Sequence, residues 1–181
     1  MSHTNWGSWT SWQYCNSGDL AIGYKFSWEP YQGSGGGGND DSGGNGFWLR
    51  CGNPKENSSY LKGSEGKWNV EWIDSKCDSG SYINGIRINS EYEGGDDMAL
   101  TNVRLSCRNF RDGAQRKLPV SNAYNGKGYW SDEVLCPAWY GVYGVRVKRE
   151  AYQGGGDDSM LNKIELRCRH ILDFASAVIV N

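Results

Sequence analysis

Apolar and polar residues alternate with a period of two in several segments of the chain. In residues 145–148, Val145 and Val147 alternate with two basic residues, and residues 103–107 and 164–168 follow the same pattern. This period is typical of antiparallel strands that turn one face to a core and the other to water. No segment has a convincing period of 3.6 residues, so the sequence predicts an all-β fold with little helix.

The alternating segments belong to a unit that occurs three times. Cys15 and Cys77 are 62 positions apart, and Cys77 and Cys136 are 59 positions apart. Each copy has a tryptophan-bearing stretch, a cysteine, a glycine, an alternating run, a glycine-rich turn with an Asp-Asp pair, and a second run that ends in cysteine. One sheet cannot bury its apolar face alone, whereas three sheets around a common axis can. We therefore expect a single domain of residues 1–181, with repeats at about 6–62, 63–126 and 127–173.

The number and spacing of the cysteines indicate the redox compartment of the protein. The chain has six cysteines and no C-x-x-C pair, so zinc ribbons and redox motifs are not expected. An even number of widely spaced cysteines predicts three disulfides in an oxidising compartment, and the alternative is six reduced thiols in a cytosolic protein. Six cysteines allow fifteen pairings, among which composition does not choose. The positions are Cys15, Cys51, Cys77, Cys107, Cys136 and Cys168.

Charge and composition argue against several classes of partner. The chain has 19 basic and 21 acidic residues and no cluster of Lys and Arg, so a nucleic-acid partner is not expected. No run approaches the ~20 apolar residues of a membrane span, so membrane insertion is not expected. The two histidines leave little room for Ser-His-Asp or histidine-metal chemistry. We therefore expect neither a cofactor nor a metal.

The repeated pattern Trp…Cys…Gly…Glu…QGGGDDxxLNxIxLxC resembles the vitelline membrane outer layer protein I family. The resemblance covers nearly the whole chain, and its most specific motifs are DDMALTNVRLSC and DDSMLNKIELRC. It implies a β-prism of three antiparallel Greek-key sheets with pseudo-threefold symmetry. It also implies one disulfide within each repeat, and the equivalence of the three copies favours the same pairing. The implied bonds are Cys15–Cys51, Cys77–Cys107 and Cys136–Cys168.

The chain departs from the family pattern in two places. In the family a strand precedes the first tryptophan, whereas here an apolar segment, FASAVIVN, occupies residues 174–181. We interpret it as the closing strand of the first sheet, moved as in a circular permutation, and the alternative is an unrelated ordered tail. The second departure is a glycine tract at 33–46, which partly matches a GGxGxD calcium repeat. Calcium-binding β-rolls need tandem copies in register, so a flexible turn is the simpler interpretation.

Three Asp-Asp pairs lie in the glycine-rich turns. Adjacent carboxylates can bind a cation or act as an acid and a base, and alternatively one aspartate caps the turn through backbone N–H groups. Three equivalent copies favour capping, because a single active site does not need a threefold set. A tyrosine precedes each turn. These symmetric positions are Tyr31, Asp40 and Asp41; Tyr92, Asp96 and Asp97; and Tyr152, Asp157 and Asp158.

The strand that ends at Cys51 carries the clearest candidate for binding. Trp48 stands where the third copy has a charged residue facing water, beside Arg50. A tryptophan on that face is either covered by the glycine-rich turn or available to stack on the C–H face of a sugar ring. We therefore predict a glycan site with Trp48 and Tyr31 as its floor and Arg50 at its rim. In this site Asp40 and Asp41 accept hydrogen bonds from hydroxyl groups.

Two classes of function fit the sequence. One is a secreted, disulfide-stabilised structural or carbohydrate-binding protein of an extracellular coat or matrix, whose partners are glycans or matrix components. The other, implied by the same resemblance, is an enzyme that transfers or hydrolyses N-acetylglucosamine oligomers. Glu29, Glu91 and Glu150 share strand faces with basic residues, and cross-strand ion pairing explains them without catalysis. We therefore favour the binding protein and assign no catalytic residue.

Overall fold

A computed structural model of the chain describes residues 7–28, 43–53, 57–65, 71–90, 100–121, 128–150 and 161–172. The described residues form antiparallel strands joined by turns, which confirms the all-β prediction. In this part of the chain no helix is long and apolar enough to cross a membrane. The strands are β1 (Ser8–Trp9), β2 (Gln13–Tyr14), β3 (Leu20–Trp28), β4 (Gly44–Gly52), β5 (Asn57–Ser64), β6 (Glu71–Lys76), β7 (Ser81–Ser90), β8 (Asn102–Asn109), β9 (Gln115–Lys117), β10 (Tyr129–Trp130), β11 (Val134–Leu135), β12 (Tyr140–Arg149) and β13 (Leu161–His170).

The strands form three antiparallel sheets. The first sheet has the order β5-β4-β3-β6, and the second has the order β10-β7-β8-β9 with β11 also paired to β7. The third has the order β1-β12-β13 with β2 also paired to β12. The central strands β3, β7 and β12 contact one another, so the three sheets surround one interior.

The interior is filled by the apolar face of each sheet. Alternate apolar residues of β3, β4, β8 and β12 are fully buried there, as the period of two predicts, whereas those of β13 and of the second half of β7 are partly buried. The side chains come from all three sheets and form one cluster, so each sheet buries its apolar face against the other two. Its members include Tyr24, Phe26, Phe47 and Leu49 from the first sheet, Ile83, Val103 and Leu105 from the second, and Val145, Val147 and Leu161 from the third.

The three disulfides join neighbouring sheets. Cys15 follows β2 of the third sheet and is bonded to Cys51 in β4 of the first. In the same way Cys77–Cys107 joins the first sheet to the second, and Cys136–Cys168 joins the second to the third. The implied pairing is confirmed. The bonds form a closed covalent cycle around the three sheets, which the sequence does not predict.

The sheets do not coincide with the sequence repeats. Strand β6, which precedes Cys77, pairs with β3 of the preceding copy, and β10 and β11 pair with β7 in the same manner. Strands β1 and β2 pair with β12 of the last copy. Each tryptophan-bearing stretch therefore lies at the edge of a sheet whose central strand belongs to another copy. The segment 174–181, predicted to be a closing strand, lies outside the described residues.

The recurrent glycine of each copy lets an edge strand approach the central strand closely. Gly85 and Gly144 each follow a register shift in the central strand. A Cβ atom at Gly85 would lie 2.5 Å from Leu135 Cδ2, and one at Gly144 would lie 2.7 Å from Tyr14 Cδ1. Because real Cβ contacts are longer than this, larger residues at these positions would push the edge strands away.

Candidate functional site

The first sheet carries the predicted candidate, Trp48, on the face opposite the core. In β4 the side chains of Phe47 and Leu49 are fully buried, so the alternation of a strand turns Trp48 and Arg50 to the other face. The register places Trp48 between Lys25 of β3 and Lys62 of β5. This outer face of the first sheet therefore combines an aromatic ring with basic side chains.

Two further aromatic rings contact Trp48. The ring centroid of Trp72 lies 5.3 Å from that of Trp48 with an interplanar angle of 60°, and that of Tyr60 lies 6.0 Å away at 66°. Both are edge-to-face contacts of the kind that aromatic pairs prefer. Trp72 is 40% exposed and Tyr60 is 36% exposed, whereas Trp48 between them is partly buried. We name Trp48, Trp72 and Tyr60 together the aromatic face.

Polar contacts hold the aromatic face in place. The indole N–H of Trp48 donates to the carbonyl oxygen of Ser64 at 3.1 Å. The ammonium groups of Lys62 and Lys25 lie 4.7 and 5.7 Å from the centroid of the Trp48 ring, within the range of cation–π attraction. Trp48 therefore supports the more exposed rings of Trp72 and Tyr60, and these two rings offer the larger stacking surface.

A carboxylate and a guanidinium group lie beside the rings. Nη2 of Arg50 donates to the two carboxylate oxygens of Asp74 at 2.7 and 2.8 Å, and Nζ of Lys25 lies 3.3 Å from the same carboxylate. The guanidinium carbon of Arg50 lies 5.2 Å from the centroid of the Tyr60 ring. Because a carboxylate has about four acceptor sites, Asp74 keeps acceptor capacity for hydroxyl groups.

The structure brings together only part of the predicted glycan site. Trp48 and Arg50 share the outer face of the first sheet. Tyr31, Asp40 and Asp41 lie outside the described residues, as do all the symmetric turn positions and the glycine tract up to residue 42. The symmetric positions are Tyr92, Asp96, Asp97, Tyr152, Asp157 and Asp158.

Sequence reasoning missed Trp72, Tyr60 and Asp74 as members of this face. They come from β5 and β6, and only the strand register places them next to Trp48. The signal available in the sequence was Trp72 in the stretch before Cys77. Among the described residues, no group of three or more His, Cys, Asp and Glu is arranged to hold a metal ion.

Tryptophan rings also cover cations on the other two sheets. In the third sheet the guanidinium carbon of Arg146 lies 4.5 Å from the ring centroid of Trp9, and that of Arg167 lies 4.3 Å from Trp12. In the second sheet the guanidinium carbon of Arg104 lies 4.9 Å from Trp130. The tryptophan-bearing stretches thus place a ring over basic residues of each sheet.

Two carboxylates on the strands, those of Asp74 and Glu165, are held in ion pairs. Arg146 donates to Glu165 at 2.6 Å across β12 and β13, and Asp74 is bound by Arg50 and Lys25. These are carboxylates other than the three glutamates for which the sequence predicts cross-strand pairing. Of the glutamates named for it, Glu29 and Glu91 lie outside the described residues, and Glu150 directly follows β12.

Comparisons with known proteins agree with this architecture. A family model described as Vitelline membrane outer layer protein I matches residues 1–171. The mouse (Mus musculus) vitelline membrane outer layer protein 1 homolog is 28% identical over 110 residues, which are 59% of this chain and 52% of the mouse protein. The matched part of the chain thus spans about half the length of that curated relative.

A solved structure shares the fold. The crystal structure of a prostate-specific WGA16 glycoprotein lectin, form II, superimposes with a TM-score of 0.52 over 94% of this chain and 96% of the lectin chain. The sequence identity is 14%, so this likeness concerns the fold alone. The family model, in contrast, matches nearly the whole sequence. The chain therefore belongs to the vitelline membrane outer layer protein I family.

Proposed function

We propose that this protein is a secreted, non-enzymatic carbohydrate-binding component of an extracellular coat or matrix. The observation that carries the proposal is the aromatic face, where exposed Trp72 and Tyr60 flank Trp48 beside Asp74 and Arg50. The three disulfides support an oxidising, extracellular location. The family and the lectin fold support the same assignment.

The aromatic face has the chemistry that sugars require. A pyranose ring presents C–H groups that pack on an aromatic ring, and its hydroxyl groups need donors and acceptors at the ring's edge. Trp72 and Tyr60 supply the rings, Asp74 supplies acceptors, and Lys62 supplies donors. The three rings contact one another, so together they offer a surface that suits an oligosaccharide better than one sugar.

The pairing of Asp74 favours binding over catalysis. A glycoside hydrolase needs two carboxyl groups across the scissile bond, one acting as an acid and the other as a base or nucleophile. On the aromatic face the carboxylate of Asp74 is engaged by Arg50 and Lys25. The turn residues Tyr31, Asp40 and Asp41 stay in the proposal as further contacts to hydroxyl groups.

A glycan array followed by titration tests the proposal. The array identifies a binding oligosaccharide, and the variants Trp72→Ala and Tyr60→Ala are then titrated with it. Each variant is expected to weaken binding roughly tenfold, about 1.4 kcal/mol, because each removes one stacking ring. The melting temperature should fall modestly, because each side chain is more than half buried and packs against Trp48.

The control is Tyr129→Ala, which removes a 78% exposed tyrosine from the edge of the second sheet and should leave the affinity unchanged. Trp48→Ala should lower both affinity and stability, because Trp48 is packed between two rings and two lysines. Unchanged affinity in both the Trp72 and the Tyr60 variants would place the glycan elsewhere. Release of shortened oligosaccharides in a turnover assay would favour the enzyme.

A further inference from the structure

The outer edge of β13 differs from the equivalent edges of the other two sheets. Strands β4, β8 and β13 each carry the second cysteine of a copy and pair with the central strand of a sheet. In the first sheet the next strand along the chain, β5, covers the other edge of β4, and in the second sheet β9 covers that of β8. Among the described residues, no strand pairs with the corresponding edge of β13. The third sheet therefore presents at this edge backbone N–H and C=O groups that a further strand can pair.

A cleft of about 370 Å³ runs along this edge. Its lining includes the five consecutive residues from Ile164 to Cys168. Because successive side chains of a strand point to opposite faces, a cleft that contacts all five lies along the edge of the strand rather than over one face. The opposite wall belongs to β7 and β11 of the second sheet, at Ile86, Val134 and Leu135.

The cleft corresponds in position to β5 of the first sheet. Strand β5 pairs with β4 and also contacts β2 and β12 of the third sheet. These two strands correspond to β11 and β7, because β2 and β11 each precede a first cysteine and pair with the central strand of a sheet. The contact of β5 is close, since a Cβ atom at Gly63 would lie 2.9 Å from Cγ1 of Val147. The equivalence of the copies therefore places a strand that follows β13 between β13 and β11.

Burial of equivalent side chains agrees with this position. A leucine lies two positions before the second cysteine of each copy, and Leu49 and Leu105 are fully buried whereas Leu166 is partly buried. The residue after the recurrent glycine differs in the same way, because Val145 of β12 is fully buried and Ile86 of β7 is partly buried. Both of the partly buried side chains line the cleft. A strand in the cleft would give them the cover that their equivalents have.

The segment 174–181 has a sequence that suits this position. Three residues separate it from β13, and the turns before β5 and β9 have four and five residues. The segment, FASAVIVN, has no charged residue and is rich in β-branched residues. It can therefore reach the edge of β13 directly and add apolar side chains to the cleft.

We propose that residues 174–181 form the fourth strand of the third sheet, antiparallel to β13, and fill the cleft with Ile179 opposite Leu166. The first sheet already has four paired strands, so the segment closes the third sheet rather than the first. As its fourth strand it covers the edge of β13, which would otherwise be open to pairing with another chain. The proposal does not depend on glycan binding.

The other two sheets supply the register. Leu61 of β5 lies opposite the leucine of β4, and Leu118, directly after β9, donates its N–H to the carbonyl oxygen of the leucine of β8. Both side chains belong to the core. They follow the second cysteine of their copies by ten and eleven residues, and Ile179 follows Cys168 by eleven. Because side chains alternate along a strand, Ile179 then faces the core and its neighbour Val178 faces outward.

NMR of the full chain tests the strand directly. We expect NOE contacts between the methyl groups of Ile179 and those of Leu166, with the Ile179 signal assigned by its loss in Ile179→Val. The paired amide protons of the segment should exchange at least about 100-fold more slowly than in an unstructured peptide. Unprotected amides throughout residues 174–181, or no methyl contact with β13, would overturn the proposal.

Ile179→Asp and Val178→Asp form a matched pair of variants. Ile179→Asp should lower the melting temperature by roughly 5–10 °C, because it places a carboxylate in the apolar cleft. Val178→Asp places the same group on the outer face and should lower it by less than about 2 °C. Equal shifts in the two variants would overturn the proposal. Light scattering should give the wild type and Ile179→Asp the same molar mass, whereas a wild-type dimer that dissociates in the variant would place the segment in the cleft of a second copy and also overturn it.

Discussion

At the scale of single residues, Trp139 shows an unusual backbone conformation. It lies three positions after Cys136 with φ of 66°, and it is 61% exposed. Gly18 and Gly80 lie three positions after Cys15 and Cys77, with φ of 84° and 78°. The left-handed region costs a residue with a Cβ atom about 1–2 kcal/mol, and glycine avoids this cost. Trp139 therefore carries strain that the two equivalent turns do not.

A pair of variants at this position isolates the strain. Trp139→Gly should be more stable than Trp139→Ala by roughly 1 kcal/mol, because both lack the ring and only alanine keeps the Cβ atom. The free energies of unfolding come from urea titrations. Gly18→Ala is the matched control and should destabilise the protein by a similar amount, since no atom lies within 4 Å of the added Cβ. Equal free energies of unfolding for the two Trp139 variants would contradict the inferred backbone strain.

At the scale of strands, the sequence predicts the long elements well. Val145 and Val147 of β12 are buried while Arg146 is turned outward, because a period of two in a strand directly reports which face meets the core. The pairing of the cysteines also follows from the equivalence of the three copies. Within these elements the alternation fails to predict the burial of Ser106. This residue lies on the outward side of β8, yet it is buried, and its hydroxyl donates a hydrogen bond to Glu133.

The pairing of the short edge strands is what the sequence does not reveal. Strands β1, β2, β10 and β11 have two residues each, too few for a period, and each pairs with a strand of another copy. The contacts of Trp48 with Trp72 and Tyr60 depend on the register of β6 and β5 in the same way. The alternation within a strand does not determine its register with a strand elsewhere in the chain. The sequence therefore predicts Trp48 and Arg50 as members of the site but not the residues of β5 and β6.

A hydrogen bond between sheets gives the fold a defined response to alkaline pH. The hydroxyl of Tyr24 in β3 donates to the carbonyl oxygens of Val103 in β8, at 3.1 Å, and of Pro119, at 2.7 Å. Burial raises the pKa of Tyr24 well above its usual range, and the nearby Arg104 opposes the shift. The unfolded chain therefore loses this proton at a lower pH than the folded protein. The stabilisation is complete below about pH 10 and is lost as the pH rises further.

The free energy of unfolding should fall above about pH 10, with Tyr24 contributing up to about 1.4 kcal/mol per pH unit. Tyr24→Phe should be less stable near neutral pH, because it loses the hydrogen bond, and its stability should fall less steeply with pH. Urea unfolding at a series of pH values measures both slopes. Tyr129→Phe, at a 78% exposed tyrosine, is the control for the loss of a phenol hydroxyl from the surface. A Tyr24→Phe slope equal to that of the wild type would show that this hydroxyl does not determine the alkaline limit.

At the scale of the whole molecule, charge is divided between the described strands and the rest of the chain. The strands contain fifteen of the 19 basic residues and three of the 21 acidic residues. The remaining segments therefore carry four basic and eighteen acidic residues, and the formal net charge is −2. Because the interior is apolar, the basic side chains at the polar alternate positions of the long strands, such as Arg146 and Lys148 in β12, lie on the outer faces of the sheets. A partner that contacts a sheet face meets these basic side chains, some of them paired with acidic residues of the intervening segments, as Lys62 is with Glu65 and Arg116 is with Asp78.

This division predicts that the sheet faces prefer acidic glycans to neutral ones. Heparin, a sulfated glycan that serves as the probe, should bind at about 50 mM salt and be released at about 500 mM, because salt screens exposed charges. Lys148→Gln combined with Lys163→Gln removes two ammonium groups that are register partners on the third sheet, and should weaken heparin binding about threefold to tenfold. Arg111→Gln, in the turn after β8, removes a charge outside the strands and should have a smaller effect. Melting temperatures verify that the variants are folded. If the wild-type protein does not bind heparin at about 50 mM salt, its net negative charge outweighs the basic faces and glycan recognition rests on the aromatic face alone.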